Sequence, residues 1–321
     1  MSVGARLVLL LLAAAAAQED ADQEARAQKA LTDMLTDALA MLKHGSAHAK
    51  EEAAAGVARM AVETTISQPF HPITFRNACV HAGVVDELVK LLVGEPSPST
   101  PRAKLHALEA LEAIATDDPS TDLDNGHALA VCSKTGAVAA IVPLLAADEE
   151  SLQMRAASCA AVLAENPACQ TKLLKQKVVA PLVELGKYGG DGAKLQSIAA
   201  LEMLALNNPA AVEAIAAAGG VELIQGLHRV GGPLLKEATE TLLGGISAPA
   251  ETRTVAVDAK AHARQAHSTR LKHSKVWQSA TGQGPMRRAI SPAEAARLAE
   301  EEGEAEEEEE EEEDGGLMRH E

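Results

Sequence analysis

No set of residues in this sequence has the types and spacing that catalysis or metal binding requires. His44 and His48 lie four positions apart, which would place two imidazoles on one helix face, but Gly45 and Ser46 interrupt the helical pattern between them. The glycine-rich stretch at residues 189–192 lacks the Lys-Ser/Thr pair of a phosphate-binding loop and follows a helical pattern rather than a strand. No Ser/His/Asp or Cys/His set has a definable context. We therefore predict a non-enzymatic protein with no cofactor and no metal.

The cysteines offer a second kind of chemistry, a disulfide bond or a metal site. No two of them have the close spacing of a metal-binding pair. All of them lie within apolar helical patterns, where an unpaired cysteine packs as a small hydrophobic residue. We predict that they are unpaired and buried; two disulfide bonds are the alternative if the protein enters an oxidising compartment. The cysteines are Cys79, Cys132, Cys159 and Cys169.

The overall composition favours packed helices. Hydrophobic residues make up 47% of the 321 residues, but aromatic residues make up only 1%. This balance disfavours a β-sandwich or β-barrel, whose strands are rich in aromatic and β-branched residues. The net charge of −17 comes mostly from residues 294–321. Because the rest of the chain, apart from the basic segment at residues 251–293, lacks a strong basic face and the chain has few aromatic side chains for base stacking, we expect no nucleic-acid partner.

The N-terminus has the pattern of a targeting segment. Arg6 precedes an apolar run at residues 7–12 and then five alanines, and residues 15–17 fit a small-x-small cleavage site. We predict a signal peptide at residues 1–17 and a location in the secretory pathway, in the ER lumen or outside the cell; a cytoplasmic location is the alternative. The same residues would otherwise form a short buried helix or an uncleaved anchor. They fall short of the ~20 apolar residues that span a bilayer, and no other stretch approaches that length, so we expect no membrane span.

Internal repetition is the strongest signal in the sequence. An apolar segment, AGVVDELVKLL from Ala82, recurs as TGAVAAIVPLL from Thr135, QKVVAPLVELG from Gln176 and AGGVELIQGL from Ala218. An alanine-rich segment follows the first three copies, and the two series advance together with a period of about 42 residues. The residues at the turn before the apolar segment are Gly83, Gly136, Lys177 and Gly219.

The spacing inside one repeat is helical. Apolar residues within 84–92 form a wide stripe at helix spacing, and the glycine before them predicts a left-handed turn that ends a preceding short helix. Thr100 and Pro101 predict the N-cap and first turn of the next helix. A divergent copy from Leu31 and a partial one ending near Ser247 bring the number of repeats to about five. The alanine-rich helix closes where an Asp or Asn avoids the helical conformation before a proline, at Pro119, Pro167 and Pro209.

A unit made of a short helix, a glycine, an apolar helix and a longer alanine-rich helix resembles the armadillo repeat. The HEAT repeat is the nearest alternative, but it has two helices and lacks this glycine. The resemblance implies an all-α fold, a right-handed α–α superhelix over residues 18–249, in which each repeat buries its apolar stripe against its neighbours and the third helices line a concave groove. It also implies a protein–protein interaction module that binds an extended peptide or a partner domain in that groove.

The resemblance does not extend to the importin-alpha kind of armadillo protein, which carries a ladder of Trp and Asn in its groove. The Trp positions of this sequence hold Ala55, Glu109, Ser158 and Ala199, and the Asn positions hold Arg59, Ala113, Val162 and Met203. A nuclear-import receptor is therefore not indicated. Of the groove residues, Arg59 and Arg155 are the preferred anchors, because binding energy concentrates on Trp, Tyr and Arg. The residues that we expect to face a partner are Glu52, Arg59, His106, Glu109, Arg155, Ser158, Gln196 and Met203.

Two charged segments follow the repeats. We predict a basic flexible linker at residues 250–293 and a disordered acidic tail at residues 294–321. We expect a monomer whose partner is a protein or peptide. The alternative function is that of an armadillo-type nucleotide-exchange factor for a heat-shock chaperone, in the ER lumen or the cytosol, since such factors combine a small solenoid with, in one kind, a leader.

Overall fold

The computed structural model describes residues 25–62, 72–94, 99–116 and 126–247. These ranges are helical, with short turns and no β-strand. The signal peptide, the basic linker and the acidic tail predicted from the sequence lie outside the described residues, as does the loop that contains Pro119.

The helices group into five repeat units, and within a complete unit we call them the first, second and third helix. The described part of the first unit contains α1 and α2, and the next four units contain α3 to α5, α6 to α8, α9 to α11 and α12 to α14. In the third unit the second helix continues from α7 into a 3₁₀ helix, Val142–Ala146. The bounds are α1 (residues 25–44), α2 (Ala47–Val62), α3 (Pro72–Ala82), α4 (Val84–Val93), α5 (Pro101–Ala115), α6 (His127–Ser133), α7 (Ala137–Ile141), α8 (Glu150–Leu163), α9 (Pro167–Lys175), α10 (Val179–Tyr188), α11 (Asp191–Ala205), α12 (Pro209–Ala217), α13 (Gly220–Val230) and α14 (Pro233–Ser247).

Equivalent helices of successive units stack on one another. The third helices α2, α5, α8, α11 and α14 form an unbroken row of contacts, and the second helices pack in the order α4, α7 with its 3₁₀ extension, α10 and α13. First helices α3, α6 and α9 form a third row. Each unit therefore buries its apolar stripe against its neighbours, which confirms the predicted all-α solenoid of five repeats.

The predicted turns have the left-handed backbone that the repeat requires. The φ angles are 85° at Gly83, 83° at Gly136 and 76° at Gly219, and Lys177 adopts 57° at the same register. A Cβ added at Gly136 would have no neighbour within 4 Å, so the glycine serves the backbone conformation and not a close approach. The register assigned from sequence is correct even where a lysine replaces the glycine.

Side-chain caps fix where the helices begin. The Thr100 hydroxyl accepts a hydrogen bond from the backbone amide of Ala103, with proline in the first turn as predicted. Asn166 after α8 is extended and Asn208 after α11 is non-helical, as their prolines predicted, but both also cap the helix that follows. The Asn-Pro pairs thus end one helix and start the next.

The first unit departs from the others because its turn is missing. Gly45 follows α1 as Gly94 follows α4, and each donates its backbone amide to a carbonyl four residues earlier. Met34 lies as many residues before Gly45 as Gly83 lies before Gly94, and the chain at Met34 stays helical. As a result α1 is about twice as long as the ten-residue α4, and its residues 25–33 extend in line instead of folding back as a separate first helix.

One disulfide corrects the prediction that all four thiols are free. Cys132 on α6 and Cys169 on α9 are bonded, with their Cα atoms 5.8 Å apart, whereas Cys79 and Cys159 are unpaired and buried. The bonded pair belongs to first helices of consecutive units, which lie side by side. Stacking of repeats brings these residues together, although their separation of 37 in sequence gives no local signal.

The apolar core runs through all five units as one cluster. The third helices contribute many alanines to this core, and these small side chains allow neighbouring helices to approach closely. In α5, for example, Ala103, Ala107, Ala110 and Ala113 are buried. Within the described ranges, no single helix is long and apolar enough to cross a membrane. Two pairs of consecutive helices are long and apolar enough only when each pair is counted as one helix, and the two pairs are bent by 81° and 78° at the turns between their helices.

Candidate binding surface on the third helices

Polar side chains lie on the third helices at the positions predicted from the sequence. On α2, Glu52 and Arg59 are exposed, and Arg59 has no ion pair among the described residues. The predicted residues on α5, α8 and α11, apart from one, are partly exposed. We call the following set the third-helix surface: Glu52, Arg59, His106, Glu109, Glu112, Arg155, Ser158 and Gln196.

Met203 does not belong to this surface, which corrects its assignment from sequence. Its side chain is only 2% exposed and lies in the core. The reason is the position of α11, which packs against α8, α10 and α14 and buries ten of its own residues. The family pattern locates a helix position, but it does not show how many neighbours cover it.

A network of side chains connects α5 to α8 within this surface, and we call it the α5–α8 network. Arg155 donates hydrogen bonds from Nη1 to Glu112 at 3.1 Å and from Nη2 to Glu109 at 3.3 Å. The Ser158 hydroxyl donates to Glu112 at 2.8 Å, and His106 Nδ1 lies 2.8 Å from a carboxylate oxygen of Glu109. The network therefore contains four residues predicted from the sequence and a fifth, Glu112, that was not predicted.

Glu112 is the missed residue, and its position shows why. It lies one helical turn after Glu109, on the same face of α5. The family comparison examined the Trp and Asn positions and one turn before them, but not the turn after the Trp position. A search of both neighbouring turns for charges of opposite sign on adjacent third helices would have found the pairing of Glu112 with Arg155.

The network holds its arginine in the charged form. The carboxylate of Glu112, and to a lesser extent that of Glu109, raises the pKa of Arg155 above its ordinary value, while burial opposes this effect. Arg155 Nε is buried and has no hydrogen-bond partner within the described ranges. One guanidinium against two carboxylates leaves a net negative charge, so the network offers acceptor oxygens as well as a positive group.

A second polar cluster lies at the start of α2, and it connects α2 to α5. The ligand atoms of His48, Glu51 and Glu52 all lie within 4.8 Å of one another. Glu51 is buried, and both of its oxygens are already engaged, one by Arg102 Nε at 3.1 Å and the other by the Thr100 hydroxyl at 3.2 Å. Glu51 therefore orients the residue that caps α5, which accounts for its burial without a metal ion.

Sequence comparison with known proteins gives no match: no protein-family model matches the chain, and no curated protein matches it. Solved structures do match. An engineered protein superimposes with a TM-score of 0.58 and 20% sequence identity, over 76% of this chain and 98% of its own length. A second engineered protein superimposes with a TM-score of 0.57 and 25% sequence identity, over 67% of this chain and 48% of its own length. Computationally designed armadillo repeat proteins for modular peptide recognition match with a TM-score of 0.56 and 20% sequence identity, over 66% of this chain and 81% of their own length. These similarities do not support the exchange-factor alternative. Together with the repeat register and the stacked rows of helices, they show that the chain folds as an armadillo-like repeat solenoid.

Proposed function

We propose that this protein is a non-enzymatic interaction module whose third-helix surface binds an extended peptide or a segment of a partner domain. The observation that carries the proposal is the α5–α8 network, which positions charged groups of both signs on an otherwise alanine-rich row of helices. The designed armadillo proteins that match the fold were made for modular peptide recognition, which supports the same use of the fold here.

The surface offers a partner two kinds of contact. The carboxylates of Glu109 and Glu112 accept hydrogen bonds from peptide amides or basic side chains, and the charge-assisted bonds involved are stronger than neutral ones. Arg59 is exposed and unpaired within the described ranges, so it is the free group for a carboxylate or carbonyl of the partner. Arg155 is already bound on both Nη atoms, and its main role is to hold the two glutamates in place.

A peptide selection tests this function. A random peptide library is selected on the full chain, and the affinity of the selected peptides is then measured for Glu52→Ala, Arg59→Ala and Gln196→Ala. These side chains retain exposure and none is a core residue, so the variants are expected to fold. We expect the Arg59→Ala and Glu52→Ala double variant to bind at least tenfold more weakly, about 1.4 kcal/mol.

Tyr188 provides the matched control. It is 80% exposed at the end of α10, a second helix, and lies outside the third-helix surface. Tyr188→Ala should change the affinity less than twofold. Peptides whose binding depends on Tyr188 and not on the third helices would refute the proposed surface, and so would a library that yields no binder.

A further inference from the structure

Four of the five third helices carry a lysine as their fourth residue. In the third unit, the same position of α8 holds a glutamine. Because the third helices contact one another in order, these five residues form a row that crosses every unit of the solenoid. We call it the lysine row, and it consists of Lys50, Lys104, Gln153, Lys194 and Lys236.

The lysine row is separate from the third-helix surface. Lys104 precedes His106 by two positions, which correspond to about 200° around the helix, so the two side chains leave α5 on opposite sides. The same offset of two positions holds on α2, α8 and α11, for example between Lys194 and Gln196. A ligand of the lysine row would therefore contact a different side of the third helices.

Gln153 shows where a side chain at this position points. Its amide nitrogen donates a hydrogen bond to the carbonyl oxygen of Ala147, at 2.7 Å, directly after the 3₁₀ helix that ends the second helix of that unit. We expect the lysines to extend to the same edge of the solenoid, where each second helix ends and a third helix begins. A lysine stem can lie over apolar surface and hold its ammonium group in water. In agreement with this, Lys50, Lys104 and Lys194 are half-buried and Lys236 is exposed.

The ammonium groups of the lysine row form no ion pair or hydrogen bond in the part of the chain that the structure describes. Other lysines do pair, such as Lys134 with Asp86 and Lys187 with Glu184. Exposed acidic residues begin α8 and α11, but none of them pairs with the row within the described ranges. The row therefore presents two pairs of unneutralised positive charges, on α2 and α5 and on α11 and α14, with an uncharged gap at α8.

We propose that the lysine row binds an acidic segment of a partner protein in an extended, polyproline-like conformation. The axes of packed helices lie about 8–10 Å apart, so lysines on adjacent third helices are separated by a similar distance. A polyproline-type chain rises ~3.1 Å per residue and completes one turn in three residues. Every third side chain therefore points the same way, ~9.3 Å further along. Carboxylates spaced by three residues match this row of ammonium groups.

The gap at α8 defines the pattern of the partner more closely. A carboxylate opposite Gln153 would meet no ammonium group and would lie on the helix that begins at the exposed acids Glu149 and Glu150. An uncharged polar residue is preferred there. The ligand therefore carries acidic residues at positions i and i+3, an uncharged residue at i+6, and acidic residues again at i+9 and i+12. Because this pattern reads the same in both directions, it fits the row in either chain orientation.

Two synthetic peptides of equal composition test the pattern. The patterned peptide has glutamates at i, i+3, i+9 and i+12, with proline, serine and glutamine elsewhere, and the clustered peptide has the same four glutamates side by side. Their affinity for the full chain is measured by fluorescence anisotropy at low salt, where charge interactions are least screened. We expect the patterned peptide to bind at least tenfold more tightly. Equal affinity of the two peptides, or no binding of either, would overturn the proposal.

Two double variants with the same loss of charge locate the contact. Lys104→Gln combined with Lys194→Gln should weaken binding of the patterned peptide about tenfold, because each replacement removes a charge-assisted contact. Lys175→Gln combined with Lys177→Gln is the matched control, since both lysines are exposed and outside the row, and it should change the affinity less than twofold. An equal loss in the two double variants would mean unspecific attraction of charges and would overturn the proposal.

The third-helix surface is tested separately in the same assay. Glu52→Ala combined with Arg59→Ala should bind the patterned peptide like the parent protein. A loss in this variant without a loss in the lysine variant would mean that the acidic peptide uses the third-helix surface, and it would overturn the proposal. Charge reversal guards against a variant that only misfolds: Lys104→Glu combined with Lys194→Glu should bind a patterned peptide with lysines in place of its glutamates at least tenfold more tightly than the parent does. No such gain would also count against the proposal.

Discussion

Replacement of Arg155 by alanine should reduce the free energy of unfolding by about 2 kcal/mol. The side chain makes two charge-assisted hydrogen bonds, each of which contributes about 1.5 to 3 kcal/mol when well formed. The side chains of Arg155, Glu109 and Glu112 are about a quarter to a fifth exposed, so water screens part of this energy. The expected loss therefore lies between the 3–5 kcal/mol of a buried pair and the 0.2–1 kcal/mol of a surface pair.

A double-mutant cycle isolates the contact between Arg155 and Glu112. Urea unfolding, followed by the helical circular-dichroism signal, is measured for Arg155→Ala, Glu112→Gln and the double variant. We expect a coupling energy of about 1 to 1.5 kcal/mol, since the two residues share a direct hydrogen bond. The control is the pair formed by Lys29 and Asp33, with side chains 79% and 63% exposed on α1, which should couple by no more than about 0.5 kcal/mol. A coupling at Arg155 no larger than the control would refute the account of a preorganised network.

The structure makes four other predictions about stability, each measured by chemical unfolding. Gly136→Ala should lower the free energy of unfolding by about 1–2 kcal/mol, because alanine is strained in the left-handed backbone conformation at this position. Lys177→Gly should change the free energy of unfolding by less than about 0.5 kcal/mol, because the relief of backbone strain is offset by a more flexible unfolded chain. Leu145→Asp should unfold its repeat together with the neighbouring ones, since a buried unpaired charge costs several kcal/mol. Burial raises the pKa of the Cys79 thiol from 9.0 to about 12. The contribution of this thiol to the free energy of unfolding is therefore complete below pH 9 and falls by about 4 kcal/mol as the pH rises to 12. Native protein should also resist alkylation of Cys79 at about pH 8.5. Cys132→Ser, which opens the 37-residue disulfide loop, should cost about 4 kcal/mol in the chain-entropy treatment, and a stability equal to that of the parent would contradict a structural role.

The repeat register could be predicted from the sequence because it depends on local rules. Left-handed turns select glycine, and Thr100 before a proline caps a helix whatever the rest of the fold does. Lys177 was placed correctly because the apolar stripe on both sides of it kept the period. The absence of a glycine at Met34 was visible in the sequence, and it is the signal that the first turn would be replaced by a continuous helix.

The contacts between repeats could not be predicted in the same way. The disulfide between Cys132 and Cys169 and the burial of Met203 both depend on how one unit packs on the next. A consensus pattern describes one unit, so it locates a position on a helix without locating its neighbours. The pairing of Arg155 with Glu112 has the same origin, because it joins two residues that lie 43 positions apart in sequence, on helices of consecutive units.

The two arginines of the third-helix surface separate binding from stability. Arg155 is held between two glutamates, so its replacement should disturb the shape of the surface and weaken the fold together. Arg59 is exposed and unpaired within the described ranges, so its replacement removes a charge without removing an internal contact. If the surface binds a partner as proposed, Arg59→Ala should lower affinity at unchanged stability, and this difference attributes the effect to the missing contact with the partner.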